Sequence, residues 1–264
     1  MTDARPPILD MKDAAAPSVF KPVNLLREAR RQKGLEHGEV PAICLLDPDG
    51  DMVRRLRRTG HAEQVTHWAC YHTEMWKFLW NGREFGIVGC AVGAPFAVLV
   101  AEQMFASGCR FLVSISSSGQ IAPLGEPPYF ILIDRALRDE GTSHHYLTPS
   151  RFAEADPEVL ARLAPLSGLG VYRGATWTTD APYRETAEAI AAHREAGILA
   201  VEMEAAALYA FSRACARPVA CFAHVTNTMA QAEGDFEKGE ADGVLASLTL
   251  AAAAAKAWME GEPT

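Results

Sequence analysis

Apolar runs, turns and amphipathic stretches recur in alternation along this chain, and the alternation predicts an α/β domain with a layered sheet covered by helices on both faces. The length, 264 residues, suffices for one large core, and no linker divides it, so residues 41–260 read as a single domain behind an N-terminal arm and helix over 1–40. In order, a basic helix is expected over 25–32, the first core strand over 42–46, and a helix over 52–58 after a turn. Strands over 85–90 and 111–115 flank a helix over 95–107, and 129–133 supplies another apolar run. The 198–201 stretch reads as the end of a buried strand or the approach to a helix, and an alanine-rich helix follows over 205–215. A late core strand at 219–225 precedes a closing helix over 245–259. Strand–helix alternation favours parallel pairing, and ligands in such sheets gather at the carboxyl ends of the strands.

Composition narrows the function. The net charge of −8 argues against nucleic-acid binding by phosphate neutralisation. Six cysteines at 44, 70, 90, 109, 215 and 221 lie mostly in apolar runs without C-x-x-C spacing, which reads as buried free thiols in a reducing compartment. The polar N-terminus lacks a signal core, and no apolar run reaches the ~18 residues of a membrane span. A cytoplasmic protein without membrane attachment is expected. The basic cluster Arg54, Arg55, Arg57 and Arg58 reads as a solvated helix face.

The string GILAVEMEAAALY at 197–209 is the richest segment. It sets Glu202 and Glu204 between an apolar run and a helix. A helix N-terminus favours negative charge by ~0.3–1 kcal/mol, which accounts for one carboxylate more readily than two. Residues two apart do not share a helical face, so one of the pair points to the apolar side and needs donors. A sugar diol supplies two.

VEMEAAALY resembles the ribose-binding signature of the nucleoside phosphorylase family, which includes uridine phosphorylase, hexameric purine nucleoside phosphorylase and the methylthioadenosine nucleosidases. Further landmarks follow the family order over residues 40–250. GCAVGAPFA at 89–97 is similar to G-x-G-G-P-S-A, SISSSG at 114–119 to R-x-G-T-x-G, and RDEGTS at 138–143 to R-x-D-G-x-S, with YRG at 172–174 and TTDAPY at 178–183 after them. Singly these are weak signals; their order and spacing carry the resemblance. It implies a single-domain, three-layer αβα fold with a central twisted mixed sheet.

The resemblance also implies cleavage of a nucleoside's N-glycosidic bond through a transition state with oxocarbenium character, which sets three tasks. The sugar must be held: Glu204, with Glu202 beside it, is assigned to the ribose hydroxyls and Met203 to packing beneath the ring. The leaving base must be stabilised: Asn227 stands where purine-cleaving relatives carry an acid, and an amide donates a hydrogen bond but delivers no proton. A capping asparagine in a turn is the competing reading. Ser118 and Gly119 are expected to line the base pocket, with Tyr183 as a stacking partner or simply a rim tyrosine.

The third task is the nucleophile. Relatives grip phosphate with a P-G-D-P-x-R loop and a second arginine in R-x-G-T, and aligning Val53 puts Pro48 at the glycine, Met52 at the first arginine and Ser114 at the second. Where a neighbouring subunit lends a third arginine, the chain reads CYHT at 70–73; Ser117 keeps the expected hydroxyl. Each lost charge-assisted contact costs ~1.5–3 kcal/mol, so inorganic phosphate is expected to be a poor co-substrate. Either water replaces it, positioned by the Asp47, Asp49 and Asp51 loop with Asp51 as candidate base, or the anion site is rebuilt from residues such as Arg54, His72 or Arg138. The acidic loop is also ordinary turn chemistry. No second acidic cluster supports a metal, and no cofactor is implied. The remaining expectations are a small-molecule nucleoside substrate, water or phosphate as co-substrate, and a homo-oligomer, dimer or trimer of dimers, in which Lys21 and the arm before it touch a neighbour. His144 and His145 are left without a role. A silent nucleoside-binding module is the reading from another class; a dinucleotide-binding dehydrogenase fares worse, because the 89–93 stretch holds only part of the glycine fingerprint and is followed by Pro95.

Overall fold

The computed structural model describes residues 6–10, 13–229, 233, 235–236 and 238–260. Helix α1 (Pro22–Lys33) starts on a proline, whose fixed φ suits the first turn, and stops at Gly34 in the left-handed conformation. Strand β1 (Ile43–Asp47) is buried throughout and turns through Gly50 into α2 (Asp51–Arg58). A hairpin of β2 (Ala62–Gln64), β3 (Trp76–Trp80) and β4 (Arg83–Gly89) follows, then α3 (Ala94–Ala106) and the long strands β5 (Phe111–Gln120) and β6 (Tyr129–Asp139). Next come β7 (Phe152–Glu154), α4 (Pro157–Leu163), β8 (Tyr172–Thr179), α5 (Ala187–Glu195) and β9 (Ile198–Glu202). The chain closes with α6 (Ala205–Cys215), β10 (Val219–Asn227) and α7 (Val244–Glu260).

The sheet is ten-stranded and mixed, in the order β10-β6-β8-β9-β5-β1-β4-β3-β2, with β7 on β6 and an additional pairing of β10 with β5. That last pairing closes β10, β6, β8, β9 and β5 into a ring from which the other half of the sheet extends. The expected parallel pairing holds for β4-β1-β5-β10 and for β6-β8-β9. It fails where the two parallel blocks meet: β5 runs antiparallel to β9, and β6 to β10. This inversion matters for function, because it brings the carboxyl end of β9 against the carboxyl end of β5.

Helices α1, α3 and α6 pack on one face, and α2, α4 and α7 on the other. Side-chain alternation along β5 serves both layers. Phe111 stacks on Trp258 of α7 with ring centroids 4.8 Å apart, while the hydroxyl of fully buried Tyr209 in α6 accepts the Cys221 amide at 3.1 Å and so ties that helix to β10. The expectation of buried thiols holds for Cys44, Cys70, Cys109 and Cys221, whereas Cys90 and Cys215 are exposed, at a strand end and a helix end respectively; all six are free. Among the described residues no helix is long and apolar enough to cross a membrane.

Candidate active site

The carboxyl ends of β1, β4, β5 and β10 lie on one edge of the sheet because these strands are parallel. The β1 end is organised by Asp47, whose carboxylate accepts the amides of Gly50 at 3.1 Å and Val53 at 2.9 Å and thereby folds the acidic loop back onto the start of α2. Burial, with the neighbouring charges of Asp49 and Asp51, pushes its carboxyl up to about 7. Asp49 crosses to β5, where its Oδ2 accepts the Ser117 amide at 2.9 Å. Asp51 binds two cations, Lys238 at 2.6 Å and Arg54. Burial opposes its charge, yet the hydrogen bonds from Lys238 and Arg54 outweigh burial and hold its carboxyl below the ordinary range.

The two glutamates divide their work. Glu202 Oε1 accepts the hydroxyls of Thr176 and Thr178, and Oε2 accepts the amides of Glu204 and Ala205, each at 2.7 Å. Those are two protein donors on each oxygen, so Glu202 anchors the start of α6 to β8. Glu204 accepts a single protein donor on each oxygen, the Gly93 amide at 2.8 Å and the Ser116 hydroxyl at 2.7 Å, leaving a lone pair free on each. Gly93 has φ 87° and ψ 151°, a conformation that side-chain-bearing residues avoid, and it is what aims that amide at the carboxylate. Burial raises the Glu204 carboxyl above the usual glutamate range, and the charges of Glu202 and Asp49 add to the shift. Met203 between the glutamates is half-buried.

A run of hydrogen bonds links the loop to the end of β10. The Ser117 and Thr226 hydroxyls lie 2.8 Å apart, Asn227 Nδ2 donates to Thr226 at 3.2 Å, and Asn227 Oδ1 accepts the Met229 amide at 2.9 Å. The carbonyl side of Asn227 thus does the turn-capping work, while its NH₂ group retains a second hydrogen. Gly119 sits opposite Asn227 in the β5–β10 register, and a Cβ on it would come within 2.5 Å of Met229 Sδ. Ser118 is buried and donates to Ser116 O at 3.1 Å.

Several expected residues stand elsewhere. Tyr183 is 99% exposed on a short 3-10 turn and stacks on nothing, so the structure does not bring it to the site. Ser114 lies deeper in β5, paired with Leu46 and Cys221, and is buried beneath the opening. Arg138 is spent on Ser143, Ser150 and the carbonyls of Leu147 and Thr148, which removes it from any rebuilt anion site. His72 lies edge-on to Phe96, and Arg54 reaches Asp51 and the Asp49 carbonyl. Sequence reasoning missed Ser116, Gly93, His224 and Lys238. The serine alternation of β5 was a usable signal for Ser116; Lys238, far along the chain in a polar stretch, offered none. His224 stacks on Phe130 with centroids 4.4 Å apart, and burial depresses its imidazole to about 4.

Asp49, Asp51, Ser117, His224 and Lys238 surround a cavity of about 20 Å³. One water needs ~10–15 Å³ on this measure, so the space suits a single water and is too small for phosphate. Among the described residues no cluster of His, Cys, Asp and Glu has the arrangement of a metal site.

The chain is 29% identical over 150 residues to a uridine phosphorylase of Thermococcus kodakarensis, covering 55% of this chain and 53% of the relative, so it spans about half that protein's length. It is 25% identical over 183 residues to a guanosine phosphorylase of Halorubrum lacusprofundi, covering 68% of this chain and 75% of that one. Crystal structures of uridine phosphorylase from Vibrio fischeri ES114, one complexed with 6-hydroxy-1-naphthoic acid, superpose with a TM-score of 0.69 at 19% identity over 84% of this chain; they cover 92% and 93% of those chains and share its fold. The profile of the Phosphorylase superfamily matches residues 30–258, and the chain belongs to that family.

Proposed function

We propose that this protein cleaves the N-glycosidic bond of a ribonucleoside and uses water as the nucleophile. The nucleoside class rests on the family and on relatives named for uridine and guanosine phosphorolysis. The choice of water rests on one observation: the Asp49 carboxylate occupies the Ser117 amide, so the first loop offers the cavity an acceptor where an oxyanion needs donors.

In this reading the free lone pairs of Glu204 accept the ribose hydroxyls, Met203 packs beneath the ring, and Ser118 and Gly119 border the base. Water in the small cavity attacks the anomeric carbon as the C–N bond breaks, and its proton passes to Asp49. The bonding pair leaves with the base, and the second Asn227 N–H stabilises the developing charge. Asp49 displaces Asp51 as the candidate base, because Asp51 is held ionised by two cations and is a weak acceptor. The departing base anion takes up a proton from solvent and Asp49 returns its own, so the products are free base and ribose; a homo-oligomer remains our expectation, to be checked by sedimentation.

Phosphorolysis is the second reading, favoured by the activities in the relatives' names. Incubation with a nucleoside panel, with and without phosphate, separates the two. Ribose at an unchanged rate in both supports hydrolysis. A strong phosphate dependence with ribose 1-phosphate as product overturns it.

A further inference from the structure

Lys238 is a cation at this site that the sequence reading did not single out, where the candidates for a rebuilt anion site were Arg54, His72 and Arg138. It arrives from the polar stretch before α7, far in sequence from the acidic loop, and its side chain is only 16% exposed. Its ammonium lies 2.6 Å from Asp51 Oδ2 and 3.5 Å from Asp49 Oδ2. Burial works against the charge, yet the hydrogen bond to Asp51 and the two carboxylate charges outweigh it, so the group stays protonated.

Ser117 and Lys238 line the same cavity, and together they form most of an oxyanion site: a backbone amide, a hydroxyl and an ammonium. Each charged or backbone donor already has an acceptor from the chain itself. Asp49 takes the amide, and Asp49 with Asp51 takes the ammonium. A carboxylate fixed by the fold is present at an effective concentration far above that of a free anion, so dissolved phosphate competes poorly for these donors.

We propose that Asp49 and Asp51 act as a built-in anion that fills an otherwise competent phosphate site, and that Lys238 is the residue whose capture by them sets the co-substrate as water. This rests on the hydrolytic reading and supplies its cause: phosphate is excluded by occupancy of the donors as well as by loss of arginines. It follows that the exclusion is reversible by removing the carboxylate charge that ties the acidic loop to Lys238, because the released loop can then yield the space that phosphate needs.

The test is binding of inorganic phosphate to the full chain, measured by titration calorimetry and thermal shift. Wild type, Asp49→Asn/Asp51→Asn, and the same double variant carrying Lys238→Met are compared. Freeing two charge-assisted contacts implies a gain in phosphate affinity of about a hundredfold in the double variant, returning to the wild-type level in the triple. Should the double variant fail to fold by circular dichroism, Asp51→Asn alone is titrated, with a gain of about tenfold expected. A folded double variant without the gain, or a gain that survives Lys238→Met, overturns the proposal. Tight phosphate binding by wild type that Lys238→Met abolishes overturns it as well. Because the readout is binding, it stands apart from the assay of hydrolysis: wild type that releases ribose 1-phosphate defeats the functional reading, whereas these titrations defeat the occupancy argument.

Discussion

Replacing Glu204 by glutamine is expected to move stability and activity in opposite directions. Glutamine keeps one oxygen for the Gly93 amide, and its NH₂ group faces the Ser116 hydroxyl, which rotates from donor to acceptor without loss of the bond. The fold therefore survives. What disappears is a buried charge whose pKa is raised by burial and by Glu202. A carboxyl with a raised folded pKa contributes stability below its unfolded pKa and loses it as pH climbs through the folded value, so the balance should tip towards the variant between about pH 5 and about pH 8. Ribose binding moves the other way. A carboxylate accepts a hydroxyl better than an amide by ~1–1.5 kcal/mol, so two sugar hydroxyls give a loss of ~2–3 kcal/mol, roughly 30- to 150-fold in kcat/KM. Urea unfolding across pH together with steady-state kinetics on the nucleoside found active reads both quantities. Unchanged kcat/KM would refute the assignment of Glu204 to the sugar, and a stability difference that does not vary with pH would refute the raised carboxyl pKa.

Other outcomes follow from the same geometry. His224, with its folded pKa depressed from 6.5 to about 4, contributes stability above its unfolded pKa that is lost as pH falls through the folded one, so wild type should lose ~3 kcal/mol from this group over that window. His224→Gln should flatten the acid limb of urea unfolding, and an unaltered limb would mean that the imidazole titrates normally. Gly93→Ala forces a side chain into glycine-only backbone, at a cost of ~1–3 kcal/mol, and swings the amide away from Glu204, so KM should rise together with the stability loss. A stability loss with KM untouched would separate Gly93 from the sugar site. Asn227→Ala should slow cleavage most for nucleosides with poor leaving bases; equal slowing across good and poor ones would reduce Asn227 to its turn-capping bond.

Elements whose signals are local were readable in the sequence. Helix α6 and strands β1 and β10 follow from apolar runs and alanine-rich periodicity and lie within two residues of the expected bounds, whereas β5, expected over 111–115, runs on to Gln120 through the serines that its apolar run did not mark. Strand β8 had no place in the sequence reading, because Thr176, Thr178 and Thr179 break any apolar run, and only the structure shows Glu202 consuming two of those hydroxyls. The motif strings likewise located Glu204 but not its partners. Gly93 and Ser116 meet it through separations of 111 and 88 residues, and such contacts come from strand order, which no local pattern encodes. Tyr183 shows another limit of the motif string: its ring is 99% exposed and packs on no described residue.

The closure of β10 onto β5 also bears on how copies of this chain can meet. An open mixed sheet of this size would offer long unpaired edges on which a second copy could add a strand. Here the ring consumes those edges, leaving the three-residue strands β2 and β7 at the margins, with charged Glu63 and Glu154 on them. Backbone-templated association has little to grip, which guards the folded chain against edge-to-edge aggregation and leaves assembly to side chains on the helical layers.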